Sequence, residues 1–193
     1  AYDAIPEEDK AHSIVLMQNE TKRLIRLVNE NLDYEKIRTG QIALNKTNFD
    51  GAEVLHNLVE QLTKKAAAAE DQFSLTVPET LPVWADYDRF VQVLFNIMQN
   101  AIQFSQKGTI VVTASRSDHA AVIAVQDHGI GMTPEQVKNI WERYYKADPS
   151  RKNTKYGESG LGLAISHQLV QQHGGTIEVE SEPDQGTRFT VTF

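Results

Sequence analysis

From residue 9 to residue 38 the chain has neither proline nor glycine, and Ile14, Met17, Leu24, Val28 and Leu32 recur among charged neighbours at three- and four-residue steps or their sum. That period puts the apolar side chains on one stripe of a single long helix. Thr39 and Gly40 end it, because glycine accepts the left-handed backbone that closes a last turn. A single apolar stripe gives a lone helix little stability, so the pattern calls for a partner: another helix or, alternatively, the body of its own domain.

After Gly40 the period changes. Strands are expected at 42–47, 72–77 and 83–85, and helices at 50–69 and 86–105, with Asp50 and Asp86 as N-caps for the first free backbone amides. Two alternating runs, 109–116 and 120–126, flank the polar turn Ser117-Asp118-His119 and read as a hairpin. A short helix begins at Thr133-Pro134-Glu135, a polar stretch runs to Ser159, a helix covers 160–173, and strands follow at 176–181 and 187–193. This order predicts an α/β two-layer sandwich, a mixed and mostly antiparallel sheet packed on helices, preceded by one long amphipathic helix. The division expected is 1–40 for the helix and 41–193 for one compact domain.

Composition narrows the classes. With 193 residues, 40% of them hydrophobic, the chain can bury a true core. The absence of cysteine removes disulfide frameworks and thiolate metal sites and fits a reducing compartment. No apolar run approaches the ~20 residues of a membrane span, and the acidic start is the opposite of a signal peptide. A cytoplasmic piece without a membrane span is the expectation. A formal charge of −7 argues against broad nucleic-acid binding, which depends on neutralising phosphates. Phosphate chemistry, if any, must be local.

Three short motifs carry candidate chemistry. Asn96 and Asn100 lie one turn apart on the helix that starts at Asp86 and so share a face. An amide oxygen is a neutral hard ligand suited to Mg²⁺; the alternative is a surface pair or cap. Asp127-His128-Gly129-Ile130-Gly131 follows an apolar strand, where a carboxylate can accept a bond from an exocyclic amine while glycines admit a flat ring. A plain turn would look the same. Gly157-Glu158-Ser159-Gly160-Leu161-Gly162 opens a helix, and its free amides make either an anion site for a polyphosphate or an empty N-terminus. Between the last two motifs, Trp141-Glu142-Arg143-Tyr144-Tyr145-Lys146 precedes a basic polar run, a pattern that suits a lid over phosphates or a mere solvated loop. The motifs are individually unspecific. Their fixed order, each on the element its chemistry needs, is what discriminates.

In that order the chain resembles the sensor histidine kinase family, whose catalytic domain has the Bergerat ATP-binding fold. Residues 96–104 are similar to its N box, 127–131 to its first glycine box, 141–144 to its F box and 157–162 to its second glycine box. The first helix is similar to the second helix of the family's dimerisation and phosphotransfer hairpin. The resemblance implies that Asn100 binds Mg²⁺, that Asn96 assists around the phosphates of ATP, and that Asp127 recognises adenine. It implies that Gly129, Gly131, Gly160, Leu161 and Gly162 shape the pocket, and that Arg143, Tyr145 and Lys146 approach the nucleotide. Implied partners are a hairpin helix, absent from these residues, that carries the phospho-accepting histidine; a second copy, as homodimer, in the full-length protein; and a cognate response regulator. The parent protein has room for a cell-membrane anchor.

Three departures stand out. Gln103 replaces a usual lysine or arginine, Trp141 a usual phenylalanine, and Glu158 a usual glycine. A gyrase-like or Hsp90-like ATPase would place a glutamate where Asn96 stands, so hydrolysis is disfavoured against phosphoryl transfer. A nucleotide-gated interaction module, or pseudokinase, is the other alternative, favoured by Gln103 and Glu158. None of the six histidines precedes a carboxylate, and His12, though on the first helix, reads as a solvated side chain and not an acceptor.

Overall fold

The computed structural model describes residues 7–40, 42–118, 120–145 and 160–193; the side chains at 7–9, 11, 12, 23 and 26 lie outside that description. The elements run α1 (Glu7–Arg38), β1 (Lys46–Asp50), α2 (Gly51–Ala68), β2 (Gln72–Thr76), β3 (Pro82–Asp86), α3 (Tyr87–Phe104), β4 (Thr109–Ser117), β5 (Ala120–Gln126), α4 (Pro134–Asn139), α5 (Gly162–His173), β6 (Thr176–Glu182) and β7 (Gly186–Thr192). Among the described residues no helix is long and apolar enough to cross a membrane.

A five-stranded sheet of order β2-β4-β5-β7-β6 forms the base, antiparallel throughout except where β2 pairs β4 in parallel. Alternation decides which face is covered. Ile110 and Val112 of β4, Ala121, Ile123 and Val125 of β5, and Phe189 and Val191 of β7 are buried, and α2, α3 and α5 lie against the sheet. On α3 the buried set Phe90, Val93, Leu94, Ile97, Met98 and Ala101 keeps the helical period. Asn96 and Asn100 fall beside that stripe, neither buried in it nor on the far side.

The caps match the sequence closely. Asp50 Oδ1 accepts the Ala52 amide, and Asp86 Oδ1 accepts that of Arg89. Thr133 and Gln136 form a reciprocal capping box on α4. One expected strand is shifted: the sequence places it at 42–47, but β1 is 46–50 and pairs β3 in a separate two-stranded sheet, Phe49 opposite Val83. Pairing, not local alternation, settled its limits.

Helix α1 is neither free nor folded back along its length. Its last turns dock: Ile37 is 1% exposed, Gln172 Nε2 donates to the Ile37 carbonyl at 2.6 Å, and Arg89 lies 3.7 Å from Asp33. The earlier turns carry Ile14, Met17, Leu24 and Val28 more than half exposed. An apolar row of that length is costly to leave in water.

His173 fastens the end of α5 to the core. Nδ1 donates to the Leu169 carbonyl at 2.7 Å and Nε2 accepts the Asp86 amide at 3.1 Å, so only the neutral ring satisfies both. Burial pushes this imidazole below its ordinary range, against the bond to Leu169, and nearby Lys46 adds to the shift while Asp86 opposes it. A histidine with a lowered folded value contributes stability that is complete above the unfolded value, about 6.5, and is lost as pH falls through the folded one. The thermal midpoint should therefore drop on acidification below pH ~6, and His173→Gln should start lower but fall less steeply. Parallel profiles for the two proteins would refute the assignment.

Candidate functional site

The end of β5, the start of β7, the second half of α3 and the first turn of α5 surround one cleft. Its apolar walls are Phe104, Ile130, Met132, Leu163 and Phe189, and its polar groups are Asn100, Asp127 and Thr187. Asp127 is 4% exposed. Its Oδ1 accepts the Gly129 amide at 2.8 Å and the Thr187 amide at 3.3 Å. Burial raises the carboxyl above its ordinary range, opposed by those two amides and by His128, while Asp71 adds to the rise. A carboxylate with both described bonds on one oxygen keeps the other for a ligand.

The glycines of this loop are required by the fold itself. A Cβ on Gly129 would stand 1.9 Å from the Phe104 carbonyl oxygen, and one on Gly131, at φ +60°, 1.8 Å from that of Glu182. Backbone packs on backbone there, so the sequence argument from ring approach identified the right positions for a different reason. Gly131 also lines the cleft; Gly129 stands behind it.

The two asparagines of α3 divide the work. Asn96 Nδ2 donates to the Gly162 carbonyl at 3.2 Å and lies 3.3 Å from Ser166 Oγ. It braces α5 against α3. Asn100 faces the cleft, and its side chain bonds to no other described residue. Leu161, fully buried, occupies the N-cap of α5, and its own apolar side chain makes no capping bond. Gly160 takes φ +71° against Tyr144. Among the described residues no cluster of three His, Asp or Glu side chains could hold a metal by itself, so a cation here would need ligand oxygens as well.

The other expected residues lie elsewhere. Arg143 pairs with Glu35 on α1 and stands 4.9 Å over the Tyr34 ring, directed at the long helix and not at the cleft. Tyr145 is half-buried against the core. Trp141 is anchored by rings, lying against His167 at 4.9 Å and edge-on to Phe189 at 6.2 Å. Gln103 Oε1 is buried without a described partner. Lys146, Glu158, most of the expected lid and the His12 side chain lie outside the described residues. Sequence reasoning missed Thr187 and Gly186. The register that pairs Gln126 with Arg188 brings them to Asp127, and a Cβ on Gly186 would reach 2.2 Å from the Asp127 carbonyl oxygen; the glycine that opens the last strand was the signal.

Comparison with known proteins agrees with this geometry. Residues 85–193 match the model of the histidine kinase-, DNA gyrase B- and HSP90-like ATPases. The chain is 47% identical over 187 residues to the sensor histidine kinase YclK of Bacillus subtilis (strain 168), covering 97% of this chain and 40% of that protein. It therefore spans about two fifths of that relative's length. Among solved structures, full-length ShkA in complex with AMPPNP superposes with a TM-score of 0.84 at 27% identity, over 98% of this chain and 39% of that one. The catalytic domain of the histidine kinase ThkA gives 0.67 at 26% identity, over 77% of this chain and 95% of that one. The chain belongs to the histidine kinase-, DNA gyrase B- and HSP90-like ATPase family, and within it to the ATP-binding domains of the sensor histidine kinases.

Proposed function

We propose that residues 41–193 bind ATP with Mg²⁺ and pass its γ-phosphoryl group to a histidine on a hairpin helix outside these 193 residues, residues 1–40 being the second helix of that hairpin. The carrying observation is the buried carboxylate Asp127, which lines an apolar cleft together with Asn100 and the first turn of α5. The cleft suits a flat ring. The spared oxygen of Asp127 would accept the adenine amine, and the α5 amides would receive polyphosphate oxygens. Asn100 would hold Mg²⁺, whose remaining positions are water and phosphate. The ion, when bound, neutralises charge that develops on the phosphates.

The chain's own contribution is positioning. Asn96 is already committed to Gly162 and Ser166, and an amide cannot take a proton from water. Transfer to a protein side chain is thereby favoured over hydrolysis. The domain division is supported by the isolated catalytic domain of ThkA, which matches 77% of this chain. A partner helix and a second copy are supported by the exposed stripe of α1, and the response regulator follows from the kinase reading.

With labelled ATP and Mg²⁺ the chain alone should acquire no acid-labile, base-stable phosphate, while an added hairpin bearing an acceptor histidine should become labelled. Labelling of any of the chain's own histidines would contradict the first half. Nucleotide binding with no transfer to the hairpin would favour the gated-module reading, for which Gln103 in place of a cation is the supporting feature.

A further inference from the structure

Arg143 and Tyr144 are engaged by α1. The Arg143 guanidinium pairs with Glu35 Oε1 and covers the Tyr34 ring, and the Tyr144 hydroxyl donates to Asn31 Oδ1 at 3.0 Å. Asn31, Tyr34 and Glu35 are spaced by three and four residues and share one face of the helix. Glu35 is oriented from its own helix too, its other oxygen taking Arg38 at 2.8 Å.

Tyr144 also touches the return of the chain into α5. The Tyr144 amide donates to the Gly160 carbonyl at 2.9 Å. A Cβ on Gly160 would come within 2.8 Å of Tyr144 Cα, so the two backbones meet with no space between them. Tyr144 has φ +61°, a left-handed conformation that a bulky residue keeps only when its surroundings hold it there. Two residues beyond Gly160, the Gly162 carbonyl accepts the Asn96 amide, and Asn100 follows one turn later on α3. Contacts thus run unbroken from α1 to the N-terminus of α5 and the asparagines of α3.

We propose that Arg143 and Tyr144 are positioning residues through which docking of α1 strengthens polyphosphate binding at the start of α5, Arg143 acting on Glu35 and not on the nucleotide. The proposal rests on the nucleotide reading of the cleft. With α1 docked, the junction of Tyr144 and Gly160 is held and the first amides of α5 are ordered before a ligand arrives, so the ligand does not have to order them. With α1 released, Tyr144 can leave its left-handed conformation, and binding must restore it. The coupling is reciprocal: a bound nucleotide favours the docked helix by the same factor.

Calorimetric titration of ATP with Mg²⁺ into the 193-residue chain and into Glu35→Gln, Arg143→Gln and the double variant tests this. The Arg143–Glu35 pair is partly exposed, so each single variant should lose about two- to fivefold in affinity, and the double no more than either single. Asn31→Ala and Tyr144→Phe should repeat the pattern. Hydrogen exchange should show ATP slowing the last two turns of α1 in the parent chain and not in Arg143→Gln. If Arg143→Gln weakens ATP while Glu35→Gln leaves it unchanged or tightens it, Arg143 is a phosphate ligand and the proposal is overturned. Additive losses, or unchanged affinity in every variant, overturn it equally. Failure of the parent chain to bind ATP is a separate result that removes the nucleotide reading and this proposal together.

Discussion

Asn100→Ala should reduce ATP affinity measured with Mg²⁺ to the level measured without it. Mg²⁺ keeps most of its water and is held by only one or two protein oxygens plus phosphates, so one lost ligand is a large fraction of the protein's hold. The fold should survive. Asn100 is half-buried, its side chain bonds to no other described residue, and alanine suits a helix interior better than asparagine. Asn96→Ala is the contrast: it breaks the brace to Gly162 and Ser166 and should cost about 1 kcal/mol of stability. Titration calorimetry with and without Mg²⁺, together with thermal melts, separates the two. An Asn100→Ala chain that retains its Mg²⁺-dependent gain would exclude the residue as ligand.

Asp127→Asn should weaken ATP far more than inosine triphosphate, which lacks the exocyclic amine. A charge-assisted bond in a buried site contributes about 1.5–3 kcal/mol, or roughly 10- to 150-fold in affinity. The bonds from Gly129 and Thr187 fall on one oxygen, so the amide variant can keep its acceptor there and present an NH₂ where the adenine amine would need an acceptor. Acidification should mimic the substitution. Burial raises this carboxyl, so the proton that abolishes its acceptor role arrives at a higher pH than for a free aspartate, and ATP affinity should fall through that range while inosine triphosphate changes little. Equal losses for both nucleotides would show that Asp127 supports the loop and does not read the base.

Local sequence was sufficient where local physics decides. Capping carboxylates at Asp50 and Asp86, the Thr133-Pro134 start of α4 and the left-handed Gly40 are set by backbone groups within a few residues. The stripe on α3 was legible for the same reason, and with it the faces of Asn96 and Asn100. Strand β1 was not. Its limits depend on pairing with residues some 35 positions away, which no local alternation encodes. Thr187 was invisible in the same way, since only the antiparallel register of β5 and β7 sets it beside Asp127.

By itself, then, the sequence determined most of the elements, the covered faces and the two motifs, on α3 and after β5, whose residues line the cleft, because period, caps and glycines act over one or two turns. Only the tertiary structure decided which partner each polar group takes. Two asparagines of the same type on one helix face became a brace and an open ligand, because α5 crosses near the first and leaves the second at the cleft. Arg143 was drawn to Glu35 because the last turns of α1 dock beside the F-box segment. The glycines at 129 and 131 turned out to be fixed by backbone packing, since the chain there passes within contact of carbonyls that lie far away in sequence.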